Sequence, residues 1–76
     1  MKKHFIALVP MGGQYEGSIG QHSTDQEDKE AAIRWAKGRF ISREFAIVEI
    51  TDGRDSLETQ EAIDLYNSSE HYTPSV

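Results

Sequence analysis

His4-Phe5-Ile6-Ala7-Leu8-Val9 is the stretch whose reading decides the fold. It is apolar on both alternating faces. A short run of this kind reads as a strand covered on both sides, so it belongs in the middle of a sheet. Pro10 is expected to end it, because proline cannot donate to a strand ladder. Met11-Gly12-Gly13-Gln14 then offers a turn in which glycine can take positive φ. Residues 14–22 alternate, with Tyr15, Gly17 and Ile19 on one side and Glu16, Ser18 and Gly20 on the other. They read as a second strand, hairpin-paired with the first.

Thr24 followed by Glu27 matches a capping box, which places a helix start there and a helix over Thr24–Phe40. Asp25, Glu27 and Asp28 suit the positive end of its dipole, and Lys37 and Arg39 the negative end. Ala32, Ile33, Trp35, Ala36 and Phe40 share one arc at helical spacing. Phe45-Ala46-Ile47-Val48-Glu49-Ile50-Thr51 reads as a third strand, followed by an Asp52-Gly53 turn. A shorter helix is expected over about residues 57–66, capped by Asp55 or Ser56, with Leu57, Ala62, Leu65 and Tyr66 on one side. The order is β-β-α-β-α. A crossover through the first helix sets strand three beside strand one. The expected fold is therefore α+β: a three-stranded antiparallel or mixed sheet in order 2-1-3, one packed helix and a short C-terminal helix. Residues 1–66 form a single domain in this reading, and the aperiodic residues 67–76 a mobile tail. The second sheet face needs a cover, either the second helix or another copy of the chain.

With 76 residues, the chain can bury only about 60% of its unfolded surface, so a deep cleft has little room beside the core. The absence of cysteine excludes a disulfide framework and thiolate zinc sites and fits a reducing cytoplasm. The longest apolar run is far short of the roughly 20 residues that span a bilayer, and no signal peptide is expected. The net charge of −5 argues against non-specific nucleic-acid binding. Its distribution says more. Residues 1–43 hold seven Lys/Arg and five Asp/Glu, a balance of +2, whereas residues 44–76 hold one base, Arg54, and eight acids, a balance of −7.

Motifs for catalysis are weak. The glycines of Gly12–Ser18 superficially suit a phosphate loop, but Ser18 stands where lysine is needed and the segment sits in a hairpin. His4, His22 and His71 have no metal-ligand spacing. Strand pairing could bring His4 and His22 together at the outer ends of the hairpin, where an ordinary surface pair is the plainer reading. Ser18, Ser23, Ser42 and Ser56 lack a nucleophile-elbow context. Glu49 is an acid within an apolar strand, expected to face solvent. Trp35 is expected in the core, or at the edge of the arc as an interface anchor. No enzyme, cofactor or metal site is expected. The suggestive pattern is acidic. Asp55, Glu58, Glu61 and Asp64 recur every third residue, preceded by Glu44, Glu49 and Asp52. This series reads as a solvated helix face or as a surface for a basic protein partner.

Two resemblances add to this. The strand His4–Val9, the glycine turn, the strand at Tyr15 and the helix Thr24–Phe40 are similar to the β-β-α start of HicB-type antitoxin domains. Gly20-Gln21-His22-Ser23 stands where that family has a Pro-Asp-Leu-Pro-Gly signature. The resemblance implies a dimeric antitoxin-like or regulatory module as the alternative function. Glu30-Ala31-Ala32-Ile33-Arg34-Trp35-Ala36, a spacer, then Phe45–Ile50 resemble the helix-then-strand layout of small phage and mobile-element proteins, anti-CRISPR inhibitors among them. That likeness implies a non-catalytic cytoplasmic protein that inhibits a host protein, such as a CRISPR–Cas or other nucleic-acid-handling defence complex. It would contact neither nucleic acid directly nor membrane.

Overall fold

The structure, a computed structural model, describes residues 1–10, 18–40 and 43–73. Strand β1 spans Lys3–Pro10, β2 Ile19–Gln26, helix α1 Lys29–Arg39, β3 Ala46–Ile50 and helix α2 Thr59–Ser68. The sheet order is β2-β1-β3, and both pairings are antiparallel. β1 is the central strand, as its two apolar faces require. Phe5, Ala7 and Val9 point to one side, into a cluster with Ala32, Ala36, Phe40, Phe45 and Ile47. Ile6 and Leu8 point to the other, with Ala46, Ile50, Leu57, Ala62 and Tyr66. Each helix covers one face. The second sheet face is thus covered by α2 within the same chain. None of the described helices is long and apolar enough to cross a membrane.

Several boundaries differ from the sequence reading. β2 lies further along the chain than residues 14–22, and Thr24 stands in it opposite Phe5. The capping box is not used. Thr24 Oγ1 accepts from Gln26 Nε2 at 2.8 Å, and α1 starts five residues later, where Asp28 accepts from the Ala31 N–H at 2.9 Å. The long apolar β1 demands a partner along its whole length, and that pairing overrides a local capping preference. β1 also includes Pro10, opposite Ile19. Its missing N–H costs nothing there, because β3 pairs with β1 only as far as Leu8. The turn at Met11–Gln14, strand residues Tyr15–Gly17, the phosphate-loop-like glycines and Ser42 lie outside the described residues.

The third strand and the Asp52-Gly53 turn follow expectation, with Gly53 at φ 82. Helix α2 begins at Thr59, not near 57, and neither Asp55 nor Ser56 caps it. Glu58 holds the cap position without a side-chain bond. Leu57 is instead held from the sheet. The Gln21 carboxamide takes the Leu57 N–H at 2.7 Å and donates to the Leu57 carbonyl at 2.8 Å. One polar side chain thereby satisfies both backbone groups of a buried residue. Beyond residue 66 the chain remains part of the fold: α2 runs to Ser68, and Tyr72 bridges Phe45 through backbone bonds of 3.0 and 2.7 Å.

Gln21→Ala leaves the Leu57 N–H and C=O without partners, a loss of about 1–3 kcal/mol for a buried unsatisfied group. Urea unfolding should show a lower midpoint at an unchanged slope. An unaltered midpoint would mean that water replaces the carboxamide.

Candidate functional site on the acidic side

The sequence-marked acids divide when placed on the sheet. Directly opposite residues share a face. Glu49 opposes Phe5, so it belongs to the α1 side and is exposed there. Glu44, Asp52, Asp55, Glu58, Glu61 and Asp64 lie on or lead into the α2 side. Only Glu61 and Asp64 are in α2 itself. The every-third-residue stripe is therefore part loop and part helix.

Most of these acids are already engaged within the chain. Arg54 is the centre of one cluster. Its Nε donates to Asp52 at 2.8 Å, and its two terminal nitrogens donate to Glu61 at 2.7 and 2.9 Å. Asp52 also accepts from the Arg54 N–H at 3.2 Å. The turn residue Gly53 brings this about by folding residues 52 and 54 toward the start of α2. These contacts hold the Asp52 and Glu61 carboxyls below their ordinary range. For Asp52 the largest cause is the bond from the Arg54 N–H, and for Glu61 the bond from the Arg54 side chain. Arg54 is correspondingly pushed up, mainly by Glu61. The sequence marked Arg54 as the lone base of its half but not as a clamp.

Glu44 accepts from the Tyr66 hydroxyl at 3.2 Å, and His71 Nδ1 lies 3.2 Å from the same oxygen. His71 stacks on Tyr66 with ring centroids 4.0 Å apart, and its Nε2 donates to the Tyr66 carbonyl at 2.6 Å. Burial, then the Glu44 bond and charge, push the Tyr66 phenol up. Asp55 lies 3.3 Å from His4 Nε2, while His4 Nδ1 bonds Asp25 at 2.6 Å. Asp64 accepts from Gln60 at 3.0 Å. Glu58 and Asp64 are exposed and have no cationic partner among the described residues. They are the acids most available to another molecule.

His4 and His22 do not meet. His4 opposes Asp25 and His22 opposes Ala7, an offset of three residues that sends them to opposite faces. His22 lies against Phe40, with centroids 4.7 Å apart. Trp35 sits half-buried at the margin of the α1 cluster, edge-on to Phe40 at 5.8 Å, with the Arg39 guanidinium 5.4 Å above its ring. Among the described residues no three His, Cys, Asp or Glu side chains converge to hold a metal ion.

No protein-family model, curated protein or solved structure matches the chain.

Two outcomes follow from these contacts. Burial, and then the Arg39 charge, hold the His22 imidazole below its usual value of 6.5. The unfolded chain therefore takes a proton at a pH where the folded chain does not. Stability from this site is full above about pH 6.5 and falls as pH drops through that value toward the lower folded one. Urea midpoints across a pH series should fall less steeply toward acid in His22→Gln. Separately, Arg54→Gln should speed amide hydrogen exchange in residues 51–58 and the first turn of α2, leaving β1 protection unchanged. Equal exchange in the two proteins would rule out a clamp.

Proposed function

We propose that this chain acts by binding and not by catalysis, presenting its α2 side to a basic surface on a protein partner. The single observation that carries the reading is the charge of that side. From residue 51 to 68 it holds Asp52, Asp55, Glu58, Glu61 and Asp64 against Arg54 alone, a balance of −4. A one-signed patch of this kind steers association toward a positive surface and rejects negative ones. The interior supports the same conclusion, since both sides of β1 are filled by packed apolar side chains.

The likeness in size and layout to phage and mobile-element inhibitors suggests the setting. Host complexes that handle nucleic acid expose basic surfaces, and occupying one would inhibit it. In this reading Arg54 and Gly53 shape the patch, while Glu58 and Asp64 are its available charges.

The test is affinity capture from bacterial lysate at low and high salt. Glu58→Gln with Asp64→Asn should lower recovery of the wild-type partner by about tenfold at low salt and flatten its salt dependence. Glu49→Gln is the control on the other face and should retain the partner. Equal recovery by the double variant and wild type at low salt would end the electrostatic reading.

A further inference from the structure

The hydrogen-bond register shows which strand edge is open over the greater length: on β3, bridged by Tyr72 at Phe45, only Ile47 and Glu49 direct backbone groups outward, against four residues of β2. Phe45 directs both its N–H and its C=O to Tyr72, away from β1. Backbone groups alternate in direction along an antiparallel strand. Ala46, Val48 and Ile50 therefore turn theirs toward β1, and their partners Leu8, Ile6 and His4 turn theirs back. Phe5, Ala7 and Val9 are left to bond β2 through Thr24, His22 and Gly20. It follows that Ile19, Gln21, Ser23 and Asp25 direct N–H and C=O groups out of the sheet. No described residue bonds to them. Edges of this length are usually blunted by charged side chains, proline or a bulge. β2 has an unbroken register and no lysine or proline, and its one acid, Asp25, is engaged with His4 at 2.6 Å.

Helix α1 adds to this edge. Phe40 at its end touches His22 of β2, and the Arg39 charge reaches the same histidine. Arg39 lies over Trp35. The flank of α1 bearing Trp35 and Arg39 thus stands beside β2. The helix is also charged in opposite senses at its two ends. Glu27, Asp28 and Glu30, with Lys29 among them, give its start a balance of −2, and Lys37 and Arg39 give its finish +2; Glu27 also lies 3.7 Å from the Met1 amino group. Arg34 is held by Glu30 at 3.7 Å, whereas Lys37 and Arg39 have no carboxylate partner among the described residues.

We propose that two copies of this chain join through the outer edges of β2, antiparallel about a two-fold axis perpendicular to the sheet, forming one six-stranded sheet. That symmetry keeps both α1 helices on one face and runs them in opposite directions. The acidic start of each then lies beside the basic finish of the other, so the α1 surface is complementary to itself. A two-fold interface requires this self-complementarity. A standard interface takes about 800 Å² from each partner, roughly a sixth of the 4985 Å² this chain exposes. Strand pairing alone is too narrow for that, and the Trp35 flank of α1 supplies the remainder. Both α2 sides come to lie on the opposite face, which doubles the acidic surface. The dimer does not depend on what that surface binds.

Sedimentation velocity over a concentration series tests the proposal without any partner. The wild-type chain should sediment as two chains and dissociate on dilution. Ser23→Pro should give a single chain with an unchanged circular dichroism spectrum, since the lost N–H points outward. If that variant does not fold, charge exchange decides. Lys37→Glu/Arg39→Glu and Glu27→Lys/Glu30→Lys should each be single chains alone and form a two-chain species when mixed. A wild-type protein that stays single at every concentration would overturn the proposal. So would a dimer that persists in Ser23→Pro, or a mixture of the charge variants that remains dissociated.

Discussion

Five consecutive side chains from Phe5 to Val9, all at most 2% exposed, cannot be hidden by a single layer. Their alternation sends three to one face and two to the other, so each face needs its own cover. The chain meets this with one helix per face and places β1 between two other strands. Pairing along the length of β1 then recruits Ser23, Thr24 and Asp25 into β2, although their local chemistry favours a helix start. The helix begins only where β1 has no more backbone groups to offer.

Two polar devices complete what the apolar contacts begin. Gln21 reaches from β2 and occupies both backbone groups of Leu57, fixing the point at which the connection from β3 descends onto the second face. Arg54 then gathers Asp52 and Glu61, tying that connection to α2. Exposed ion pairs of this sort contribute little stability individually. Their effect here is placement, because they determine which carboxylates remain available. Glu61 and Asp52 face an internal cation, while Glu58 and Asp64 face solvent with none among the described residues.

Charge is divided between the layers. Residues 27–39, at and just before α1, carry a balance of +1, with the bases toward the finish of the helix, and residues 51–68 a balance of −4. The net charge alone conceals this separation. It gives the two faces different capacities: the acidic face suits a basic partner, and the α1 face suits a surface that offers acids beside bases, such as its own copy. The sheet holds these faces apart, so substitutions on one need not disturb the other.

The sequence by itself determined the central position of β1, the strand order, the covering arc of α1 and the acidic bias of the C-terminal half. Each rests on residue type and short-range period, which act locally. Only the tertiary structure decided where β2 and the helices begin, that His4 and His22 lie on opposite faces, and that Glu49 is separated from the other acids. It also decided that Tyr72 joins the sheet edge at Phe45. These depend on register and long-range pairing. A shift of one residue exchanges the faces, and a polar strand such as Ile19–Gln26 carries too little hydrophobic pattern to announce its register in advance.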